Sequence, residues 1–452
     1  MGIYIHIPFC VKKCNYCDFL SDVGSASLQK EYVDAMLNEI VLWNRDDDTL
    51  NAHEVSTIFI GGGTPSVIKA SYIADILDAI RQRFNVKVDA EITIECNPGS
   101  ADREKLAAYR DAGINRISIG LQSANDEELK ILGRVHDLAR FEETYRLAKE
   151  VGFDNINVDL MSAIPGQTLE SYRNTLEKVI ALGPQHISAY SLIIEEGTPF
   201  YDIYGEGGTG EGHIGEGGTV NDSAKLYPPL PDEDQEREMY YLTEELLAAA
   251  GYHRYEISNY SLEGYECRHN KSYWDGTEYL GFGLGSAGYI YGVRYSNTSD
   301  LDIYINACNN LNAPQSESYF EYYTGVDEYD EPDEDEAKEA SDETGNGESF
   351  ATAESDHRDF LELLKNDGFH EGVHRLSVND KMEEFMFLGL RMMNGISMSE
   401  FKKRFNRDIR EVYGNSIDKL KDEGLLEESE DILRLTHRGI DVSNIALANF
   451  LL

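Results

Sequence analysis

The chain has 452 residues, 83 of them acidic and 40 basic, for a formal net charge of −43, and 41% of it is hydrophobic. That length predicts two or three domains with large buried cores. The charge argues against nucleic acid and against anionic membrane surfaces as main partners, since both attract lysine and arginine.

No stretch approaches the about 20 continuous apolar residues that span a bilayer. Met1-Gly2-Ile3-Tyr4 leads straight into an apolar strand, so no targeting segment is expected. Six cysteines in so long a chain do not read as a disulfide framework. The expected location is the reducing cytoplasm, and peripheral membrane contact is compatible with it.

Along the first two hundred residues, short Ile- and Val-rich runs alternate with helix-like stretches. Strands are predicted at 3–7, 55–60, 91–95, 116–121, 155–161 and 186–192. Helices are predicted at 28–43, 71–84, 103–112, 127–132, 139–151 and 169–182, with Gly113, Gly152 and Gly183 where C-terminal caps would fall. Such alternation implies parallel pairing with right-handed crossovers. Six βα units are too few for a complete eight-stranded barrel, so the predicted fold class is α/β, a partial (βα)6 barrel open on one side.

Chemistry in such barrels gathers at the C-terminal strand ends. Cys10 follows the first predicted strand, Gly61-Gly62-Gly63-Thr64-Pro65 the second, and Gln122 the fourth. Glu95 closes the third and Asp159 lies in the fifth.

Beyond the barrel (1–200), a connecting region (201–311) opens with a Gly-rich near-repeat, Gly-Glu-Gly-Gly-Thr at 205–209 and again at 215–219. Residues 312–358 form an acidic insertion, expected to be solvated or disordered. Within it, 327–343 hold eleven acidic residues against Lys338. Residues 379–452 read as a winged-helix-like α+β domain. Ser397-Met398-Ser399-Glu400 has the form of a capping box. Ile409, Val412, Tyr413, Ile417 and Leu420 recur at helical spacing, Gly424 stops that helix, and 432–435 resembles a wing strand. Nine basic and eleven acidic residues over 397–452 lack the electrostatic footprint of DNA binding.

The most specific signal is Cys10, Cys14 and Cys17, spaced C-x3-C-x2-C with no fourth cysteine near. Iron–sulfur clusters normally take four thiolates. Three on one loop can hold a four-iron, four-sulfur cluster and leave one iron open to a small molecule. Zinc is the competing reading, but structural zinc takes four ligands, often as paired C-x2-C units. His6, a conceivable fourth ligand, sits at a strand end.

Together, Tyr4-Ile5-His6-Ile7-Pro8-Phe9-Cys10 with Cys14 and Cys17, Gly61-Gly62-Gly63-Thr64-Pro65, Glu95-Cys96-Asn97-Pro98 and Asp159 resemble the radical S-adenosylmethionine superfamily. Within it, the chain resembles the oxygen-independent coproporphyrinogen III oxidase group. The resemblance implies a [4Fe-4S] cluster on the three cysteines and an S-adenosyl-L-methionine chelating the open iron. The reduced cluster would break the C5′–S bond to give a 5′-deoxyadenosyl radical. Contacts to S-adenosylmethionine are implied for Tyr4, Tyr16, Gly62, Gly63, Thr64, Glu95, Gln122, Arg134 and Asp159. The glycines would admit close backbone approach, and Glu95 would accept from ammonium or ribose hydroxyls.

The group has two branches. One decarboxylates coproporphyrinogen III in porphyrin metabolism; the other resembles a heme chaperone that hands heme to apoproteins of respiration. Phe19 stands where the decarboxylase pattern has a further cysteine, and the first strand is expected at once, at Ile3, where the decarboxylases resemble one another in carrying an N-terminal extension. His269-Asn270-Lys271-Ser272-Tyr273-Trp274 matches the H-N-x-x-Y-W pattern of the chaperone branch. Heme is therefore the third expected cofactor. His269 would supply an axial imidazole, and Tyr273 and Trp274 flat surfaces for a porphyrin. Cys267 is a second conceivable donor.

Overall fold

The computed structural model describes residues 1–43, 53–205, 227–310, 364–365 and 367–452. The Gly-rich near-repeat beyond Gly205, and the acidic insertion at 312–358, lie outside the described residues.

Six parallel strands cross the centre in chain order: β1 (Gly2–Ile7), β2 (Glu54–Gly62), β3 (Asn85–Cys96), β4 (Arg116–Gln122), β5 (Ile156–Ser162) and β6 (His186–Ser191). The crossovers carry α1 (Ala26–Leu42), α2 (Ala70–Arg83), α3 (Arg103–Asp111), α4 (Asp126–Ile131), α5 (Leu138–Glu150) and α6 (Leu169–Leu182). Gly113, Gly152 and Gly183 all have positive φ. The α/β alternation read from the sequence is thus observed. The main difference is β3, which begins six residues early. Its first half alternates exposed polar residues with Val86 and Val88, and it is held by pairing to Glu54 and Val55 rather than by burial.

Ile5, Ile60, Ile94, Ile117 and Ile156 stand side by side in register across β1–β5, all fully buried. Burying such a side chain is worth about 2 kcal/mol. The alternate positions differ in kind. Glu95, Ser118, Asn157 and Asp159 place polar groups on adjacent strands, where an all-parallel sheet is ordinarily apolar on both faces. The period of two therefore divides each strand between a packing row and a site row.

The connecting region adds strands to the same sheet. After α7 (Pro199–Tyr204) and α8 (Glu233–Ala249) come β7 (His253–Arg254), β8 (Asn259–Ser261), α9 (Arg268–Trp274), β9 (Tyr279–Phe282), β10 (Ala287–Ile290), β11 (Val293–Asn297), α10 (Leu301–Asn310) and β12 (His370–Arg375). The twelve strands run β12-β11-β10-β9-β1-β2-β3-β4-β5-β6-β8-β7, with β9 parallel to β1. Side chains from Ile3 to Phe369 form one core.

A second core belongs to α11 (Val378–Gly389), β13 (Ile396–Ser397), α12 (Met398–Phe405), α13 (Ile409–Asp422), β14 (Leu426–Ser429), β15 (Ile432–Leu435), α14 (His437–Asp441) and α15 (Ser443–Leu447). The three strands form a small antiparallel sheet ordered β13-β15-β14. Ile409, Tyr413, Ile417 and Leu420 are buried along α13 as their spacing predicts. Half of the expected capping box forms. Ser397 Oγ accepts from Glu400 N at 3.0 Å, but the second carboxylate is Asp431 from the wing turn, which accepts from Ser399 N at 2.8 Å. Glu400 faces Lys403 instead, one turn along the same helix.

Candidate cofactor site

The loop carrying the three cysteines is closed by its own backbone. Cys10 N donates to Asp22 O at 3.0 Å, and Asp22 N donates back to Pro8 O at 2.9 Å. Phe9 is buried edge-on against Tyr32, anchoring the start of the loop. Asn15 pins the middle: its N donates to Leu132 O at 3.0 Å and its Nδ2 to Ile131 O at 2.8 Å. His6 Nε2 lies 2.8 Å from Leu20 O. Since a carbonyl only accepts, Nε2 carries the proton and Nδ1 accepts from Tyr4 Oη at 3.1 Å. His6 is thereby committed to holding the loop, which weighs against it as a fourth ligand.

A polar bridge joins the cysteines to the neighbouring strand ends. Cys10 Sγ lies 3.4 Å from Thr64 Oγ1, and Asn97 Nδ2 donates to that same oxygen at 2.8 Å. Arg134 Nη2 donates to Asn97 Oδ1 at 2.6 Å and to Gly120 O at 2.8 Å, while Nη1 reaches Cys14 Sγ at 3.7 Å. Tyr16 also bonds Arg134, and burial pushes its hydroxyl pKa up. Asn97 is the connecting residue that sequence reasoning missed as a site member. Its signal was present in the Glu95-Cys96-Asn97-Pro98 run.

The Gly61–Gly63 turn serves close packing within the protein. A Cβ on Gly62, which has φ +111°, would meet the His6 ring at 2.7 Å, and one on Gly63 would meet the Phe9 backbone at 2.9 Å. Gly61 faces Glu95 in the same way, at 3.1 Å. The turn can therefore lie flat against the start of the cysteine loop.

Glu95 accepts from Gly62 N at 3.2 Å. Burial, with Asp159 nearby, pushes its carboxyl up to about 8, against the pull of Gly62 N–H and Arg116. Asp159 is better solvated by the protein. It accepts from Ser118 Oγ at 3.0 Å, Asn157 Nδ2 at 2.7 Å and Tyr190 Oη at 2.9 Å. Ser118, Asn157 and Tyr190 carried no sequence signal of their own.

At the end of β4 the register with β5 slips between Gly120 and Gln122, and Gln122 takes φ +72°. Strain of this kind costs on the order of 1 kcal/mol and clusters at functional sites. Gln122 Oε1 is buried without a partner, as is Arg134 Nε. Nearly all buried polar atoms are paired in folded proteins, so two orphans beside the cysteine loop fit a ligand there.

The donor set also fits a cluster better than a single ion. All six cysteines are free. Burial, the largest influence, pushes the Cys17 thiol up to about 11. Among the described residues, a metal-sized group with ligand atoms all within 4.8 Å of one another occurs at His253, Glu263 and Glu266, and the three thiols do not form one. One tetrahedral zinc, at about 2.3 Å from each sulfur, would draw thiolates closer than that. A cube bearing one thiolate at each of three corners holds them farther apart.

The H-N-x-x-Y-W segment is α9, seven residues long. Glu91 of β3 caps its start, accepting from Arg268 N and His269 N at 3.1 Å each and from Cys267 Sγ at 3.5 Å. His269 is buried. Its Nδ1 lies 2.9 Å from Thr57 Oγ1 and its Nε2 2.9 Å from Tyr273 Oη, with the ring stacked on Phe59 at 5.3 Å. Burial, then Arg116, push His269 down to about 3, so the ring is neutral. Burial also pushes Cys267 up to about 12. Trp274, at the other end of the helix, lies under the Arg391 guanidinium at 4.5 Å, and its indole Nε1 is buried without a partner.

Known proteins resemble this chain in sequence and in fold. The family described as Radical SAM superfamily matches residues 4–179, and the HemN C-terminal domain matches residues 376–442. The chain is 30% identical to the heme chaperone HemW of Lactococcus lactis subsp. lactis over 449 residues, covering 99% of this chain and 97% of that one. It is 31% identical to the heme chaperone HemW of Bacillus subtilis over 450 residues, covering 99% and 98%. The solved structure of coproporphyrinogen III oxidase (HemN) from Escherichia coli superposes with a TM-score of 0.72 at 20% identity, over 100% of this chain and 89% of that one, which shows a shared fold.

Proposed function

We propose, for a chain that belongs to the HemW family of the radical SAM superfamily, a heme chaperone that binds heme and delivers it to apoproteins of respiration. The observation that carries this is similarity to curated heme chaperones along nearly the whole length of both chains. The H-N-x-x-Y-W run at 269–274 supports it.

In this reading Cys10, Cys14 and Cys17 hold a [4Fe-4S] cluster, which with S-adenosylmethionine supplies one-electron chemistry when both are bound. Arg134 and Thr64 donate toward the sulfurs and steady their negative charge. Gly62, Gly63 and Thr64 shape the floor of the S-adenosylmethionine site. Glu95 and Asp159 receive its cationic and hydroxyl groups, Gln122 Oε1 gains its missing donor, and Tyr4 and Tyr16 close the sides against water. Trp274 and Tyr273 give heme a flat contact. His269 reaches iron only if its bond to Tyr273 or Thr57 opens. No described helix is long and apolar enough to cross a membrane. We place the protein in the cytoplasm, where its six free thiols are kept reduced.

The test is anaerobic. Reconstituted protein is given heme and an apo-cytochrome, and separately coproporphyrinogen III with reductant and S-adenosylmethionine. Heme transfer without vinyl product is expected. Catalytic formation of the vinyl product would instead assign the decarboxylase reaction and overturn the chaperone reading.

A further inference from the structure

A cleft of about 660 Å³ lies between the end of α9 and the C-terminal domain, a size ordinary for a small-molecule site. Trp274, Tyr289, Phe385 and Phe405 give it aromatic walls, and Lys381 and Arg404 line it as well. Trp274 is the last residue of the H-N-x-x-Y-W run, so the cleft begins where that motif ends.

The charges lining the cleft are unevenly satisfied. Each acid is occupied. Glu384 is held by Arg294 through two bonds, at 2.7 and 2.9 Å. Glu400 faces Lys403 at 3.3 Å, and Glu278 accepts from Tyr291 N at 2.6 Å. Asp275 accepts from Thr277 N at 2.9 Å. The cations are not. Lys381 lies beside Gly292, and Arg404 spreads over the Phe385 ring at 5.3 Å. Among the described residues neither has a carboxylate at salt-bridge distance, in a chain with 83 acidic against 40 basic side chains. The cleft thus presents aromatic walls and two positive charges without a carboxylate partner among the described residues. Glu384 and Glu400 are paired with cations and Asp275 and Glu278 accept hydrogen bonds from within the protein, which leaves Lys381 and Arg404 to meet a flat apolar molecule carrying carboxylates.

We infer that this cleft seats the porphyrin, with its propionates on Lys381 and Arg404 and a ring face against Trp274. The inference rests on the heme chaperone reading and adds a contribution from the C-terminal domain to it. It also leaves the buried His269 undisturbed when heme first lands: the imidazole holds Tyr273 through its hydroxyl, one residue before Trp274.

The full-length protein, purified without air, is titrated with hemin and with hemin dimethyl ester while the Soret band is followed. The expected result is that K381E/R404E binds hemin about tenfold or more weakly than the parent. The ester, lacking free carboxylates, should bind parent and variant equally weakly. K381Q and R404Q, each intermediate in effect with an unchanged thermal melt, exclude misfolding as the cause. Parental hemin affinity in K381E/R404E overturns the cleft assignment while the chaperone reading stands. No Soret shift in the parent overturns both.

Discussion

Two buried polar clusters stand on the same sheet, and they differ in how fully they satisfy themselves. Around the cysteine loop, Gln122 Oε1 and Arg134 Nε have no partner, Gln122 takes a left-handed conformation, and Glu95 titrates near 8. Around α9, Glu91 receives three donors and both ring nitrogens of His269 are within hydrogen-bond distance of hydroxyls. The first cluster leaves polar atoms unpaired at the strand ends; in the second, Glu91 and His269 are satisfied and the unpaired atom is Trp274 Nε1, at the end of the helix. Unmet valence, more than residue type, marks where a ligand enters.

The largest effect that tests this contrast is removal of a cluster ligand. Cys14→Ala is expected to abolish iron–sulfur absorbance after anaerobic reconstitution. Unchanged iron and sulfide content would take the cysteine loop out of the site and leave only the barrel.

The next concerns the closed cluster. His269→Ala removes a buried ring and strands the Thr57 and Tyr273 hydroxyls, at an expected cost of about 3 kcal/mol in urea denaturation. A loss under about 1 kcal/mol, together with failure to bind heme, would reverse the comparison and make the imidazole a ligand rather than a support.

A smaller effect separates the clusters by pH. A carboxyl titrating near 8 in the folded protein and at its ordinary value when unfolded contributes stability that is full at low pH and lost as pH rises through about 8. The protein without cofactor should therefore melt at lower temperature at pH 8.5 than at pH 6, and Glu95→Gln should flatten that difference. If Glu95 meets a cationic group of S-adenosylmethionine, the affinity of the parent should rise with pH up to about 8. Equal slopes in parent and variant would remove Glu95 from the contact.

The smallest change is expected at Phe19, exposed to 64% on the cysteine loop. Phe19→Ser should alter stability by no more than about 0.5 kcal/mol and leave iron content unchanged. A larger loss would show that the ring packs in the assembled site.

The barrel was legible because its signals are local. Period-two strands such as 3–7 and 116–121, helical runs between them and the glycines that end three helices each reflect the backbone of a few neighbouring residues. The cysteine spacing was legible for the same reason. Ser118, Asn157 and Tyr190 were not, because each matters through a partner on another strand. The capping box at Ser397 was half right: no local pattern could show that Asp431, thirty-four residues on, would lie closer than Glu400.

By itself, then, the amino-acid order determined the alternating α/β architecture, the three thiols on one loop and the H-N-x-x-Y-W run at 269–274, since these depend on periodicity and short spacing. Only the tertiary structure decided that the connecting region joins the main sheet, that His269 is enclosed by Thr57, Tyr273 and Phe59, and that Trp274 opens onto Lys381 and Arg404. Those outcomes depend on which side chains meet after long-range packing, and distance along the chain carries no record of such meetings.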